Sequence, residues 1–215
     1  MRLLLVNAIH FKAAWEEPFP TEMTVPSVFH LLDESTVEVP MMWHPKQEFR
    51  ALNEPGLQAV ELPYANTPIV MVVFLPEDLR SFESSLDPET LELALQRLQP
   101  AEVMLRIPKF RVDSEMKLKE TLSSMGLADL FDQATDLRGI SNEPGFRVDE
   151  VLNSSFVEVN EAGTEAAAAT VVQMIGAWPS PLPKIDICID RPFRFIIRDK
   201  PTGCVLFAGR VEDPR

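Results

Sequence analysis

Residues 156–170 read Phe156-Val-Glu-Val-Asn-Glu-Ala-Gly-Thr-Glu-Ala-Ala-Ala-Ala-Thr170. The first four alternate like a strand with one buried face. Glu161 to Thr170 is of another kind, and Ala166 to Ala169 within it is the one compositionally biased segment of the chain. Composition alone fits a short Ala-rich helix or a solvated loop. The flanks narrow this choice. A strand leads directly into the segment, and Val171 to Pro183 follows it, mixing apolar residues with Pro179, Pro181 and Pro183.

The rest of the chain has globular proportions. Of 215 residues, 46% are hydrophobic and 25% charged, which excludes disordered and collagen-like classes. The longest apolar run, Ile69 to Leu75, is too short to span a bilayer. A net charge of −13 leaves no field to attract nucleic acid or an anionic membrane, so neither is expected as a partner. Eight glycines against 19 prolines imply stiff, well-punctuated connections. Cys188 and Cys204 read as two free buried thiols, with a single bridge as the alternative. The N-terminal apolar stretch is interrupted by Asn7, His10 and Lys12, so it reads as a strand rather than a signal peptide.

Strand signals dominate. They cover Leu3 to Lys12, Phe29 to Leu32 with Val37 to Val39, Leu57 to Leu62, Ile69 to Leu75, Val103 to Val112, Phe156 to Val159, Phe193 to Ile197 and Val205 to Ala208. Ala65 to Pro68 is expected to close a hairpin, and the continuously apolar Ile69 to Leu75 to be buried on both faces. Two helices are expected. One is capped by Asp87 with Pro88 at its first position and a stripe of Leu91, Leu95 and Leu98. The other carries Leu118, Leu122 and Met125 and ends at Gly126 in the left-handed conformation. The class is α+β with largely antiparallel sheets, with no internal repeat and no domain linker.

Catalytic chemistry finds no support. His10, His30 and His44 fall on three different elements, and no HExxH or paired-Cys spacing exists, so no metal site is expected. Nucleophile elbows and glycine-rich phosphate loops are absent from the sequence. Carboxylate pairs such as Glu16-Glu17 are expected by chance among 33 acidic residues.

Phe156 to Thr170 resembles the reactive-loop hinge of the serpins, a family of serine-protease inhibitors. Four further stretches agree in order. Val6 to Trp15 is similar to the family's third strand of sheet A. Val60 to Tyr64 with Val70 to Pro76 is similar to its B-sheet hairpin, Ile107-Pro-Lys-Phe110 to another family strand, and Arg191-Pro-Phe193 to Pro214 to its closing hairpin. The resemblance spans residues 1–215 as one partial domain with a reactive-centre loop at about 161–183.

The resemblance implies a serine-type endopeptidase inhibitor, not an enzyme, that uses no cofactor. Cleavage of the loop would be followed by its insertion as a new strand in sheet A. An inserting strand alternates, which turns Thr164, Ala166, Ala168, Thr170 and Val172 inward and Glu165, Ala167, Ala169 and Val171 outward. The inward set is small, as an inhibitory hinge requires; Ala162 is its one departure from the family pattern. The family's spacing sets the scissile bond between Ala177 and Trp178, with a bond a few residues away, for example after Met174, as the alternative; the small Ala177 suits an elastase-like serine protease, and a cysteine protease is the alternative target. No heparin site is evident. Trp15, Lys109 and Glu161 correspond to the cluster where the loop first enters, and Asn7 to the polar residue where the strands part. Asn153 stands where the family usually has histidine, which is expected to weaken that network. Asn153-Ser-Ser155 is formally a glycosylation sequon at the start of an expected buried strand.

The match begins at the third strand of sheet A, so the resemblance implies a serpin fold truncated at its N-terminus. It implies extracellular action, with the cytoplasm as the alternative. The competing reading is a non-inhibitory or inactive truncated member, acting as a protease substrate or a binding module.

Overall fold

The computed structural model describes residues 2–132, 137, 139–140, 147–164 and 181–215. The strands are β1 Arg2–His10, β2 Ala13–Ala14, β3 Val25–His30, β4 Thr36–Glu54, β5 Leu57–Pro63, β6 Ile69–Pro76 and β7 Gln99–Pro108. They continue with β8 Phe110–Lys117, β9 Arg147–Asn160, β10 Gly163–Thr164, β11 Lys184–Cys188, β12 Phe193–Asp199 and β13 Val205–Val211. The helices are α1 Leu79–Ser85, α2 Pro88–Gln96 and the single turn α3 Lys119–Leu122. No helix among the described residues is long and apolar enough to cross a membrane.

The chain divides into two compact units, each drawn from two stretches of sequence. One holds residues 1–11 and 113–157, the other 12–112 and 158–215. In the smaller unit β1 runs parallel to β9, with Asn7 opposite Asn153 and His10 opposite Phe156. Leu4, Val6 and Ile9 of β1 are 53%, 65% and 44% exposed, so this strand is apolar without being core.

The larger unit contains an eight-stranded sheet in the order β11-β7-β4-β5-β6-β12-β13, with β3 also on β4. β6 is its centre. Apart from its first residue it is buried throughout, as the unbroken apolar run requires. Val70, Val72 and Phe74 meet Ala94, Leu95 and Leu98 beneath α2 on one side. Asp87 caps α2 by accepting the Thr90 N–H at 2.7 Å, and Pro88 occupies the first turn, where no donor is needed. α1 has the same device in Asp78, which accepts from the Ser81 N–H at 3.0 Å.

Several expectations change. The run Val103 to Val112 is two strands that break at Lys109, whose N–H still reaches Pro40 O on β4 at 2.9 Å, while Pro40 has no N–H to return a bond. The second expected helix is α3 and an irregular turn at Ser123–Leu127. Gly126 does take the left-handed φ of 94°, but Met125 is 73% exposed and seals no core. α1 was not expected, since only Leu79 and Phe82 mark its apolar side. The two cysteines are free but not buried: Cys188 is half-buried and Cys204 exposed. Asn153-Ser-Ser155 lies in the middle of β9, half-buried, rather than at a strand's start.

Gly209 on β13 tests the packing. A Cβ there would meet the Phe195 ring at 2.4 Å, and that ring is buried against Phe110. Gly209→Ala should therefore destabilise the protein by about 1–3 kcal/mol. A lower urea midpoint with unchanged slope is the expected result.

Candidate functional site: the seat of the loop

Two groups of residues singled out from the sequence come together, each within its own unit. In the larger unit the chain leaves β9 at Asn160 and reverses within two residues. Asn160 Oδ1 accepts the Ala162 N–H at 3.0 Å, a local side-chain turn that starts the reversal. β10 then pairs antiparallel with the end of β9, Gly163 opposite Asn160 and Thr164 opposite Val159. On its other edge β10 pairs with β2, Gly163 opposite Ala14 and Thr164 opposite Ala13. Gly163 and Thr164 therefore lie as a strand between two strands.

Only glycine fits at 163. Its φ is 150°, and a Cβ would meet Ala13 O at 2.3 Å and Ala14 Cα at 2.7 Å, both backbone atoms. Thr164 is fully buried. Its hydroxyl bonds the Tyr64 hydroxyl at 2.6 Å, and Tyr64 stacks on Trp15 at 4.5 Å. Burial pushes the Tyr64 phenol well above its ordinary pKa, outweighing the opposite pull of Thr164, so it stays protonated.

Trp15, Lys109 and Glu161 come together in the larger unit. The Trp15 indole donates to Asn160 O at 3.0 Å, and its backbone N–H to Ala162 O at 3.0 Å. Trp15 therefore holds the chain on both sides of Glu161. The Glu161 carboxylate pairs with Lys109 at 3.0 Å and accepts the Thr24 hydroxyl at 2.8 Å. Burial pushes this carboxyl up, but its own backbone N–H, Thr24 and Lys109 together bring it below the usual carboxylate range. The Phe19 N–H donates to Glu161 O at 2.9 Å. Thr24, Tyr64 and Phe19 were not expected here. Tyr64, the one tyrosine of the chain, sits beside the hairpin that the sequence does reveal.

In the smaller unit the Asn7 amide donates to Asn153 Oδ1 at 2.7 Å across the parallel pair. These two asparagines thus make a direct side-chain bond between β1 and β9. The remaining hinge residues, Glu165, Ala166, Ala167, Ala168, Ala169 and Thr170, and the expected scissile pair Ala177 and Trp178, lie outside the described residues. Among the described residues no group of three or more His, Cys, Asp or Glu could hold a metal ion.

The fold is mainly stranded α+β, and Gly163–Thr164 lies between two strands where the chain leaves β9. The family model described as "Serpin (serine protease inhibitor)" matches residues 1–214, and the chain belongs to the serpin family. It is 35% identical over 223 residues to the leukocyte elastase inhibitor of Bos taurus, covering 99% of this chain and 59% of that protein. With Iripin-8 of Ixodes ricinus the identity is 38% over 220 residues, covering 98% and 54%. Among solved structures, human thyroxine-binding globulin complexed with thyroxine superposes with a TM-score of 0.82 at 30% identity, covering 98% and 56%. The mouse protein-Z dependent protease inhibitor gives 0.78 at 30%, covering 99% and 55%. The chain thus spans less than two-thirds of the length of each relative.

Two outcomes test the seat. Gly163→Ala should unseat β10, read as faster amide exchange at Trp15, whose N–H is bonded to Ala162. For Glu161 the folded pKa is lowered, so its contribution is present above the unfolded value near 4.5 and lost as pH falls through the lower folded one. Urea titrations should show Glu161→Gln flattening the acid limb of stability below that pH and leaving the slope between pH 5 and 7 unchanged.

Proposed function

We propose that the protein inhibits a serine-type endopeptidase by offering residues 161–183 as bait. The observation that carries this reading is the burial of Thr164 opposite Val159. A strand continuing from it would alternate in the same phase. Extending the same antiparallel register along β9 sets Ala166 opposite Val157, Ala168 opposite Ser155 and Thr170 opposite Asn153. Only small side chains then face inward, and opposite Asn153 the Thr170 hydroxyl takes up amide groups that Asn7 and Asn153 now spend on each other.

In this mechanism the protease serine attacks the Ala177 carbonyl and the amine of Trp178 leaves with a proton, giving an acyl-enzyme. The freed loop then enters between β1 and β9, carrying the protease before water can release it. The small Ala177 side chain suits an elastase-type pocket, and relatives named elastase inhibitors favour that target. Extracellular action belongs to the same proposal, with the cytoplasm as the alternative. The serpin whose structure holds thyroxine supports a second reading, a binding module that is cut without trapping.

The test is incubation of the 215-residue chain with an elastase and with trypsin, followed by denaturing electrophoresis and mass spectrometry. A detergent-stable band at the summed mass, with cleavage after Ala177, is the expected result; clean cleavage without that band means a substrate. Ala168→Glu should cut the ratio of complex to cleavage by at least about tenfold, because an unpaired buried carboxylate costs several kcal/mol.

A further inference from the structure

His44 has no part in the loop's seat, yet it stands directly behind it. It lies on β4 just before Pro45, where the ladder to β7 loses register between His44 and Gln47. The side chain is fully buried. Its ring meets the ring of Phe19 edge-on at 5.7 Å and that of Phe49 at 6.0 Å. Neither Nδ1 nor Nε2 has a hydrogen-bond partner. An imidazole in such surroundings is an aromatic packing unit while neutral and an unpaired buried charge once protonated.

The charged groups on the elements packed against it offer no counter-charge. Near Phe19 these are Glu16, Glu17 and Glu22; on β4, Lys46, Glu48 and Arg50; on β7, Glu102 and Arg106. Lys46 pairs with Glu102 at 3.0 Å, Arg106 with Asp186 at 3.2 Å, and Arg50 donates to Leu98 O at 2.7 Å. None of these groups bonds either ring nitrogen.

Phe19 links the ring to the loop. Its side chain is buried, and its N–H donates to Glu161 O at 2.9 Å. Five residues on, Thr24 binds the Glu161 carboxylate. The segment that His44 packs against is therefore the segment that holds the loop root from behind.

We propose that His44 is a proton-sensitive latch: neutral, it completes the aromatic cluster that presses Phe19 against Glu161; protonated, it opens the cluster and releases the loop root. The direction follows from burial. Burial holds the imidazole below its ordinary value of 6.5, so the closed form binds fewer protons than the open form. As pH falls below 6.5 the open form gains about tenfold for each pH unit, until the closed form itself takes the proton. Glu161, held below the usual carboxylate range, stays ionised across this window, so loss of its pair with Lys109 does not mimic the effect.

Amide exchange at Phe19, corrected for the intrinsic pH dependence of exchange, tests the latch without any protease. Its result is thus independent of whether the protein traps one. In the unmodified chain, protection at Phe19 should fall about tenfold for each pH unit between 6.5 and 5. In His44→Phe, which keeps an aromatic ring, protection should not change over that range. An equal fall in both proteins overturns the proposal, as does no fall in either. Should the variant fail to fold, the imidazole resonances of the unmodified chain decide, with His10→Asn and His30→Asn for assignment. The latch requires the His44 ring to stay neutral until Phe19 protection is lost, and independent titration near pH 6.5 in the closed protein overturns it.

Discussion

The turn from β9 into β10 depends on one crowded point, the approach of Gly163 to the backbone of Ala13 and Ala14. No side chain larger than hydrogen fits there, so the chain crosses that gap in one conformation. Thr164 follows inward by alternation, and its buried hydroxyl requires a partner, which Tyr64 supplies. Tyr64 in turn needs an aromatic face, which Trp15 provides, and Trp15 bonds the chain on both sides of Glu161. The seat is a closed chain of dependencies in which each buried polar group is satisfied by the next.

The ion pair of Glu161 and Lys109 is secondary to this. Lys109 is 39% exposed, so water weakens the attraction, and exposed pairs contribute at most about 1 kcal/mol. The backbone bonds from Trp15 and Phe19 hold the turn whatever the charge state of Glu161. The carboxylate instead gives direction, tying the turn to Thr24 on one side and to Lys109, at the break between β7 and β8, on the other.

The elements that could be read from sequence have their cause in a few neighbouring residues. Asp87-Pro88 announces α2, the unbroken run Ile69 to Leu75 announces a strand buried on both faces, and Gly126 announces a left-handed end. What escaped has a distant cause. The break at Lys109 is set by Pro40, far away in sequence, and α1 stays in place because Phe82 packs on Phe74. The seat divides the same way. Trp15, Lys109 and Glu161 were legible because a family pattern marks them. Tyr64, Thr24 and Phe19 were not, since each reaches Glu161 or Thr164 through tertiary contacts that have no local spacing. His44 carries no signal either, as nothing in the sequence distinguishes a buried histidine from an exposed one.

The proposed insertion also identifies where its driving force must lie. The hinge side chains are mostly methyl groups, so their burial adds little. The gain has to come from the backbone. β1 and β9 now share one parallel ladder. A strand entering with the polarity of β10 would run antiparallel to both, replacing one parallel ladder with two antiparallel ones, the slightly stronger kind per residue. Each added backbone hydrogen bond contributes about 0.5–1.5 kcal/mol net, and the entering strand adds bonds along two edges. Alanine suits this role because it adds nothing that resists: no rotamer to freeze, no volume to repack and no polar group to satisfy. The barrier is then the parting of β1 from β9, where the Asn7 to Asn153 bond must break before the strand that replaces it arrives.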